Sequence, residues 1–541
     1  MDVILMNGKI ITMDVTTPEC EAVAFKGGRI VKVGNNEEIL SLKSDNTEII
    51  DLERNMVVPG FNDSHMHLLN YGYALQKIDL TYSNSIEDLI EKGKAFLDNK
   101  KIQKGKWILG RGWNQDDFNE KRFPTKYDLD KISTQYPICY TRTCGHAAIV
   151  NSKALEIAGI TKETAQVEGG KFDLDINGEP LGIFRENALE LIYSKIPTPT
   201  IEEIKDMILT AAKEAVKDGI TSIQTDDFEA MPDKNFQKVI RAYKELKESG
   251  ELPIRIYQQC LLPEIDKLKE FLKLGYKTGE GDEYFKFGPI KLLCDGSLGA
   301  RTAYMTQPYA DDETTCGIYY YSQEDLEEMV VTAHDRGMQI AVHCIGDKAM
   351  YMAIDSFEKA LQKSYVKDHR HGIIHCQITD EILLDKFKKL NLIAYIQPIF
   401  LDYDLHIVEE RVGKNRAKTT YNWKGMVDRG IHIACGSDCP VESFNIMKNI
   451  YSAVTRKDLN GYPKEGWLPE QRLTVYEALY GFTLGAAFAS FEENIKGTIT
   501  PRKLADMVVL SKNIFEINFN EIKDVEVLMT FIGGKLVYKK S

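Results

Sequence analysis

Two histidines separated by a single residue, His65 and His67 in the segment DSHMH, have the spacing of a metal-binding pair. On an extended chain, residues i and i+2 project from the same side, so both imidazoles can reach one ion. Imidazole nitrogen is a common zinc ligand. An H-x-H pair alone is weak evidence, but this one directly follows the apolar segment VVPGF, which predicts a strand. The pair therefore indicates part of a metal site.

Three more donor residues lie at the ends of predicted strands. His343 ends IAVHC, His375 ends GIIHC and Asp438 ends IACGSD. A lone buried histidine is more often structural than a ligand. Four histidines and an aspartate at equivalent strand ends instead predict one metal site, and such N and O donors suit zinc, iron, manganese or cobalt.

The other histidines lack this placement. His334, His369 and His406 are therefore interpreted as surface or structural residues.

Lys291 lies inside another predicted strand, in GPIKLLCDGSLGA. A buried ammonium is costly unless it is paired or chemically altered. One interpretation is an ion pair with Asp295 or another carboxylate. The other is that the amine reacts with carbon dioxide to give a carbamate that bridges two metal ions. The residues alone indicate only that a free positive charge beside a cationic site is disfavoured.

The elements that would position these side chains alternate between short apolar strands and helical stretches, a pattern typical of βαβ units. Eight strands are predicted, at residues 56–61, 219–225, 252–260, 288–294, 338–344, 371–376, 391–397 and 431–438. Eight such units close into a (β/α)8 barrel of the α/β class. Closure would bring the carboxyl ends of all the strands, and the donor residues on them, into one ring.

The remaining segments predict two additions to a barrel at residues 56–494. Residues 1–55 and 495–541 alternate apolar and polar residues between Gly and Asn turns, and we expect them to form one composite β-sandwich. About 155 residues separate the first two barrel strands, far more than a crossover needs. Residues 70–205 are therefore predicted to be an insertion over the barrel mouth.

The bulk composition excludes several classes of protein. The net charge of −13, without any basic block, argues against nucleic-acid binding. Apolar runs fall short of the roughly 20 residues of a membrane helix, and the first residues do not resemble a signal peptide. Ten scattered cysteines without a C-x-x-C pair predict a reduced, cytoplasmic protein. Cys344 and Cys376, each directly after a candidate ligand, are expected to face the helix layer as small hydrophobic residues.

The chain resembles the metal-dependent amidohydrolase superfamily, and within it the branch that includes N-substituted formamide deformylase (amidohydrolase family 3). The motifs that carry the resemblance run from end to end: NGKIITMD, GGRIVKVG, VVPGFNDSHMH, GRGWNQDDF, CGHAAIVNSKAL, PLGIFRENAL, DGITSIQTDD, IKLLCDGSLGARTA, AVHCIGDKAM, IIHCQI, GSDCPVES and GTITPRKLADMVVL.

This resemblance implies a role for each candidate. His65 and His67 would bind the more buried metal, and His343 and His375 a second one. Lys291 would be the carboxylated bridging ligand. Asp438 would be the catalytic aspartate and would also touch metal. Zinc is the expected ion, in one or two copies.

The resemblance also implies a substrate pocket. Its residues would be His146, Trp113, Arg185 and Asp295, although each could equally be an ordinary loop, cap or core residue.

The expected activity is hydrolysis of a non-peptide carbon–nitrogen bond in an amide, formamide or cyclic amide, by metal-activated water. Two alternatives remain: the same centre could attack an ester or phosphoester, or the barrel could be a non-catalytic metal-binding regulator. The expected partner is a small-molecule substrate, without nucleic acid or membrane, and a homodimer is plausible.

Overall fold

The computed structural model of the 541-residue chain describes residues 1–99 and 105–541. By its internal packing the chain divides into two units. The first comprises residues 1–71 and 204–541, and the second comprises residues 72–203. The first unit contains a parallel barrel and a β-sandwich.

The barrel is a parallel sheet in which each strand pairs with the next along the chain. In the part of the chain that the structure describes, its eight strands are, in order, Phe61–Met66, Ile220–Asp226, Arg255–Leu261, Phe285–Leu293, Ile340–Cys344, Gly372–His375, Ile393–Ile396 and His432–Cys435. These are called barrel strands one to eight below. The predicted (β/α)8 fold class is confirmed.

Backbone hydrogen bonds connect the last barrel strand to the first. The Asp438 amide donates to the His65 carbonyl at 2.8 Å, and the His67 amide donates to the Cys439 carbonyl at 2.7 Å. A Cβ added to Gly436 would lie 2.5 Å from the His65 nitrogen, so a residue without a side chain is required where the two segments meet. The closure therefore brings Asp438 beside the histidine pair.

The position of barrel strand one differs from the prediction. Met56–Pro59, predicted as the start of this strand, pairs instead with Met507–Leu510 in the sandwich. Gly60 separates the two strands, and a Cβ there would lie 2.3 Å from the Thr221 hydroxyl. The prediction was wrong because one apolar run, VVPGF, is shared by two consecutive buried strands that periodicity cannot separate. His65 consequently lies within the barrel strand rather than after it.

Helices cover the barrel in the expected alternation. The helix Phe236–Glu248 illustrates why these segments are helical. Asn235 caps it by accepting a hydrogen bond from the Lys238 amide. Apolar residues at helical spacing, among them Val239 and Tyr243, are buried. The α-helices of this unit after the second barrel strand are Phe236–Glu248, Ile265–Lys273, Gln323–His334, Asp347–Lys363, Glu381–Leu390, Leu401–Asp404, Val408–Ala417, Trp423–Asp428, Ile446–Thr455, Val475–Tyr480 and Ala486–Ala489. A π-helical turn spans Gly481–Gly485, and short 3-10 helices span Pro398–Phe400, Pro469–Gln471 and Phe519–Asp524.

The sandwich combines both ends of the chain. One sheet has the spatial order Arg29–Gly34, Ala22–Lys26, Val3–Met6 and Glu48–Asp51, with the helix Asn36–Leu40 beside it. The other has the order Lys535–Lys539, Val527–Ile532, Met507–Leu510, Met56–Pro59, Lys9–Ile11 and Glu19–Cys20. Buried residues of both sheets, including Val23, Val57 and Phe531, form one core. Neither end of the chain could bury this apolar surface alone.

The second unit is built on its own mixed sheet. The strand order is Gly170–Leu174, Pro180–Glu186, Ala147–Val150, Ile138–Arg142, Ile108–Trp113 and Ile78–Asp79. Its helices are Ile86–Asn99, Lys126–Leu129, Ser152–Ala158 and Glu190–Tyr193, with a 3-10 turn at Asn187–Leu189. The helices Leu68–Leu75 and Ile201–Lys217 lead the chain into and out of this unit. Alternate residues along the strands fill a separate apolar core on each face of the sheet.

Two further observations concern the whole described chain. None of its described helices combines the length and the apolar character needed to cross a bilayer. All ten cysteines lie in described positions and are free thiols. Cys344 and Cys376 are buried, as expected for small hydrophobic residues.

Candidate metal centre

The donor atoms of His65, His67 and Asp438 form a tight cluster at the carboxyl end of the barrel. They lie within 4.8 Å of one another, the only such group among the described residues. Asp438 Oδ1 is 2.9 Å from His67 Nε2 and 3.3 Å from His65 Nε2. His65 is 1 % exposed and Asp438 is 5 % exposed, whereas the His67 side chain is 21 % exposed, so solvent reaches the cluster only at His67.

His375, His343 and Lys291 border this cluster. The His375 ring lies 5.8 Å from the His65 ring and 4.4 Å from the His343 ring, measured between centroids. Lys291 Nζ lies 3.2 Å from His65 Nε2. The structure therefore brings all six predicted metal-site residues into one region of the barrel.

The backbone is strained at two of these residues. His375 has φ of +83° and Asp438 has φ of +62°, in the left-handed region that side-chain-bearing residues rarely adopt. Such conformations persist only where the surrounding structure enforces them, and they concentrate at functional sites. His375 is the last residue of barrel strand six, and Asp438 lies three residues beyond the end of barrel strand eight.

Each of the four histidines has one ring nitrogen next to an acceptor oxygen. The acceptors are Gln259 Oε1 for His65 (2.6 Å), the Asp226 carbonyl for His67 (3.3 Å), Gln397 Oε1 for His375 (2.9 Å) and the Gly296 carbonyl for His343 (3.1 Å). The second nitrogen of His65, His343 and His375 can then present its lone pair, whereas Nε2 of His67 lies 2.9 Å from Asp438 Oδ1. Metal-ligating histidines in proteins have this arrangement.

The electrostatics of the cluster also favour a cation. Burial alone would lower the pKa of His67, yet Asp226 and Asp438 raise it well above its ordinary value. Burial, with Lys291 adding to it, lowers the pKa of His65, and it lowers that of His343 to about 4. The two carboxylates thus require positive charge between them, while the surrounding imidazoles stay neutral and able to coordinate. The residues present fit a divalent metal ion.

Asp226, at the end of barrel strand two, is the carboxylate that faces Lys291. Its Oδ2 lies 3.5 Å from Lys291 Nζ, and its Oδ1 lies 3.6 Å from His67 Nδ1. One interpretation of the sequence was an ion pair of Lys291 with Asp295 or another carboxylate, and the carboxylate beside the lysine is that of Asp226. The signal was present, because Asp226 directly follows the predicted strand 219–225, close to the strand-end position that Asp438 occupies in IACGSD.

Asp295 instead anchors the loop that follows barrel strand four. It accepts backbone hydrogen bonds from Tyr304, Ile345 and Gly346 at 2.8, 3.0 and 2.7 Å. The same carboxylate lies 3.5 Å from His343 Nε2. These bonds engage both of its oxygens, so its predicted contact with substrate stays a prediction.

The other predicted substrate residues belong to the second unit. Trp113 is buried and donates its indole N–H to the Tyr140 carbonyl at 2.9 Å. Arg185 pairs with Asp173 at 2.7 Å. His146 is exposed, and its Nδ1 lies 3.0 Å from Glu186. All have partners within their own unit, and their role in binding substrate stays a prediction.

The histidines interpreted as surface or structural lie away from the donor cluster. His334 and His369 are buried near the amino ends of barrel strands five and six, and they contact His371. His406 is exposed and lies 3.1 Å from Asp458.

Two residues that contact the candidate ligands were not predicted from the sequence: Gln259 contacts His65, and Gln397 contacts His375. Gln259 lies within barrel strand three, and Gln397 directly follows barrel strand seven. A buried amide on a barrel strand was the available signal, but QQC and YIQP contain no residue that binds metal strongly.

The family model of the amidohydrolase family matches residues 48–538. "Putative amidohydrolase YtcJ" of Bacillus subtilis (strain 168) is 33% identical over 544 residues, which cover 100% of both chains. N-substituted formamide deformylase of Arthrobacter pascens is 25% identical over 549 residues, covering 100% of this chain and 99% of the relative.

A crystal structure of an uncharacterized metal-dependent hydrolase from Pyrococcus furiosus superposes with a TM-score of 0.76 at 28% identity. The match covers 95% of this chain and 100% of that one. The chain belongs to the amidohydrolase family, and the predicted resemblance is confirmed. Family and neighbouring structures together support a metal-dependent hydrolase.

Proposed function

We propose that this protein hydrolyses a non-peptide carbon–nitrogen bond in an amide, formamide or cyclic amide, using a divalent metal, zinc by preference. The observation that carries the proposal is the convergence of His65 Nε2 and His67 Nε2 on Asp438 Oδ1, at 3.3 and 2.9 Å in a largely buried cluster. A metal ion bound there supplies Lewis acidity and lowers the pKa of water towards neutrality.

The residues of the chain divide the remaining work. His65 and His67 would hold the ion. Asp438 accepts a proton from the attacking water and returns it to the leaving nitrogen. Its carboxylate suits the role because, although burial raises its pKa, the contacts with His65 and His67 hold that pKa well below its ordinary value. It is therefore ionised and ready to accept.

Lys291 is proposed to carry a carbamate that joins the ligand set. Burial lowers the pKa of its ammonium even though Asp226 and Asp438 oppose the shift, so the neutral amine is accessible. A neutral amine adds to the carbon of carbon dioxide and releases one proton, giving a carbamate anion. With His343 and His375 nearby, that anion would support a second ion.

The choice of a carbon–nitrogen bond rests on the relatives. The Arthrobacter pascens protein is named for deformylation of N-substituted formamides, and it aligns along the whole chain. The ester and phosphoester alternatives use the same centre, so only assays distinguish them. A small-molecule substrate and a cytoplasmic location are part of the proposal, the latter supported by the free state of all ten cysteines.

The test combines metal analysis with a substrate panel. Protein purified without added metal would be analysed by inductively coupled plasma mass spectrometry, then assayed on matched formamides, cyclic amides, esters and phosphoesters. We expect about one or two equivalents of divalent metal, and turnover of amides that chelation abolishes and metal restores.

Two results would overturn the proposal. The first is full activity after complete metal removal. The second is turnover confined to esters or phosphoesters, which would retain the centre but change the reaction.

A further inference from the structure

Gln259 is a fully buried amide whose two ends have different partners. Its Nε2 donates to the Ser64 carbonyl at 2.9 Å. Its Oε1 therefore faces the Nδ1 of His65, at 2.6 Å. Because an amide oxygen only accepts hydrogen bonds, Nδ1 of the imidazole must carry the proton.

Gln397 repeats this arrangement on the other side of the barrel. Its Nε2 donates to the Tyr395 carbonyl at 3.4 Å, and its Oε1 lies 2.9 Å from Nδ1 of His375. The side chain is 3 % exposed, so water does not compete for these contacts. His375 is thus held in the same tautomer as His65, with the proton on Nδ1.

We propose that Gln259 and Gln397 are positioning residues that fix the tautomers of His65 and His375 before any metal binds. A neutral imidazole carries its proton on either nitrogen, and only a nitrogen without one can coordinate. With Nδ1 protonated, the lone pair of each ring is on Nε2, and for His65 this is the atom that lies beside Asp438 and Lys291. The effect of these tautomers on metal binding rests on the proposed function, whereas the contacts of Gln259 and Gln397 with the two histidines do not.

The chemistry of the site explains why an amide occupies position 259. The residue must accept a hydrogen bond from His65 and also donate one to the Ser64 carbonyl. A carboxylate has no N–H to donate, so it would place a second oxygen against the oxygen of that carbonyl. An amide also adds no charge to an interior that already holds Asp226 and Asp438. Partners of metal-ligating histidines are more commonly carboxylates or backbone carbonyls, so this chain departs from the usual arrangement.

The first experiment measures zinc affinity by competition with a fluorescent chelator. Gln259→Leu and Gln397→Leu should each weaken zinc binding about 10- to 100-fold, the usual effect of removing such a partner. Gln259→Glu retains an acceptor towards His65 and should recover part of the loss. The matched control is Gln258→Leu, because Gln258 is equally buried but donates to the Thr225 and Gln259 carbonyls. Equal losses in Gln258→Leu and Gln259→Leu would overturn the proposal.

The second experiment separates this inference from the metal hypothesis. In metal-free protein with 15N-labelled histidine, two-bond 15N–1H correlations report which ring nitrogen carries the proton. We expect His65 and His375 as Nδ1–H tautomers in the wild type, and loss of that state at His65 in Gln259→Leu. If the protein has Nδ1–H tautomers but binds no zinc, the proposed function is refuted and the positioning role is not. If the metal-free wild type has Nε2–H tautomers, the positioning role is refuted, whatever the zinc affinity.

Discussion

The carboxylate of Asp438 lies 2.9 Å from the imidazole of His67, although the two residues are 371 positions apart in the chain. The contact exists because barrel strand eight ends beside barrel strand one, where the Asp438 amide also donates to the His65 carbonyl. Backbone closure and side-chain contact thus depend on the same few residues. The proposed proton acceptor is held against the proposed metal ligands by the barrel itself.

Replacing Asp438 with Asn should separate metal binding from turnover. The amide preserves the shape of the side chain but cannot accept the proton of the attacking water, so kcat should fall about 10²- to 10⁴-fold. Metal content, measured by mass spectrometry, should change little because the histidines remain. Asp227→Asn is the control, since Asp227 is also buried but accepts from Tyr243 and Leu69. Near-normal turnover in Asp438→Asn would refute the assignment.

The carbamate on Lys291 should be visible by 13C NMR. Protein equilibrated with 13C-labelled bicarbonate should give a carbamate carbonyl signal that is absent in Lys291→Met. The control is Lys286→Met on the same barrel strand, whose side chain pairs with Glu492 at 2.8 Å and not with the donor cluster. A signal that persists in Lys291→Met would place the carbamate elsewhere.

Metal removal should lower the thermal stability of the whole barrel unit. A ligand that binds only the folded state stabilises it by about 2.7 kcal/mol at a free concentration 100 times its Kd. Differential scanning calorimetry should therefore show a lower Tm after chelation and recovery when zinc is added. His67→Asn should reduce this zinc-dependent shift, while His406→Gln, an exposed position, should leave it intact. An equal shift in both variants would indicate non-specific binding.

The buried histidines at the other end of the barrel should make stability depend on pH. His334 Nδ1 lies 2.9 Å from His371 Nε2, and His371 Nδ1 accepts from the Ile340 amide at 3.1 Å. Burial, followed by the neighbouring His369 and His334, lowers the pKa of His371 well below its ordinary value. Since the unfolded state binds the proton more readily, the stabilisation is present above the unfolded pKa of about 6.5 and is lost as pH falls below it.

Urea unfolding of the metal-free protein at pH 7.5 and pH 5.5 measures this effect. The free energy of unfolding should decrease towards pH 5.5 in the wild type and decrease less in His371→Gln. His406→Gln should behave as the wild type does. Identical slopes in His371→Gln and the wild type would exclude His371 as the source.

The pair between Arg255 and Asp506 should be the strongest electrostatic link between barrel and sandwich within the first unit. The guanidinium binds both carboxylate oxygens, at 2.7 and 2.9 Å, and the two side chains are 3 and 4 % exposed. Asp506→Ala leaves a buried unpaired cation and should cost about 3–5 kcal/mol in urea unfolding. Glu214→Ala breaks the exposed pair with Lys217 and should cost less than about 1 kcal/mol. Similar costs for the two variants would contradict this ranking.

The sequence by itself determined the barrel, the sandwich from both chain ends and the candidates for the metal site. This was possible because apolar periodicity and strand-end position are local properties, and a barrel converts equivalent strand ends into neighbours. The proximity of His65, His343 and Asp438 could therefore be predicted from the sequence.

Only the tertiary structure decided which side chains meet inside the barrel. The register and closure of the barrel strands bring the carboxylate of Asp226, rather than that of Asp295, next to Lys291. They also bring Gln259 next to His65. The boundary at Gly60 also depended on which sheet each half of VVPGF pairs with. These contacts join strands that are distant in the chain, and their geometry follows from packing and hydrogen bonding that no local pattern encodes.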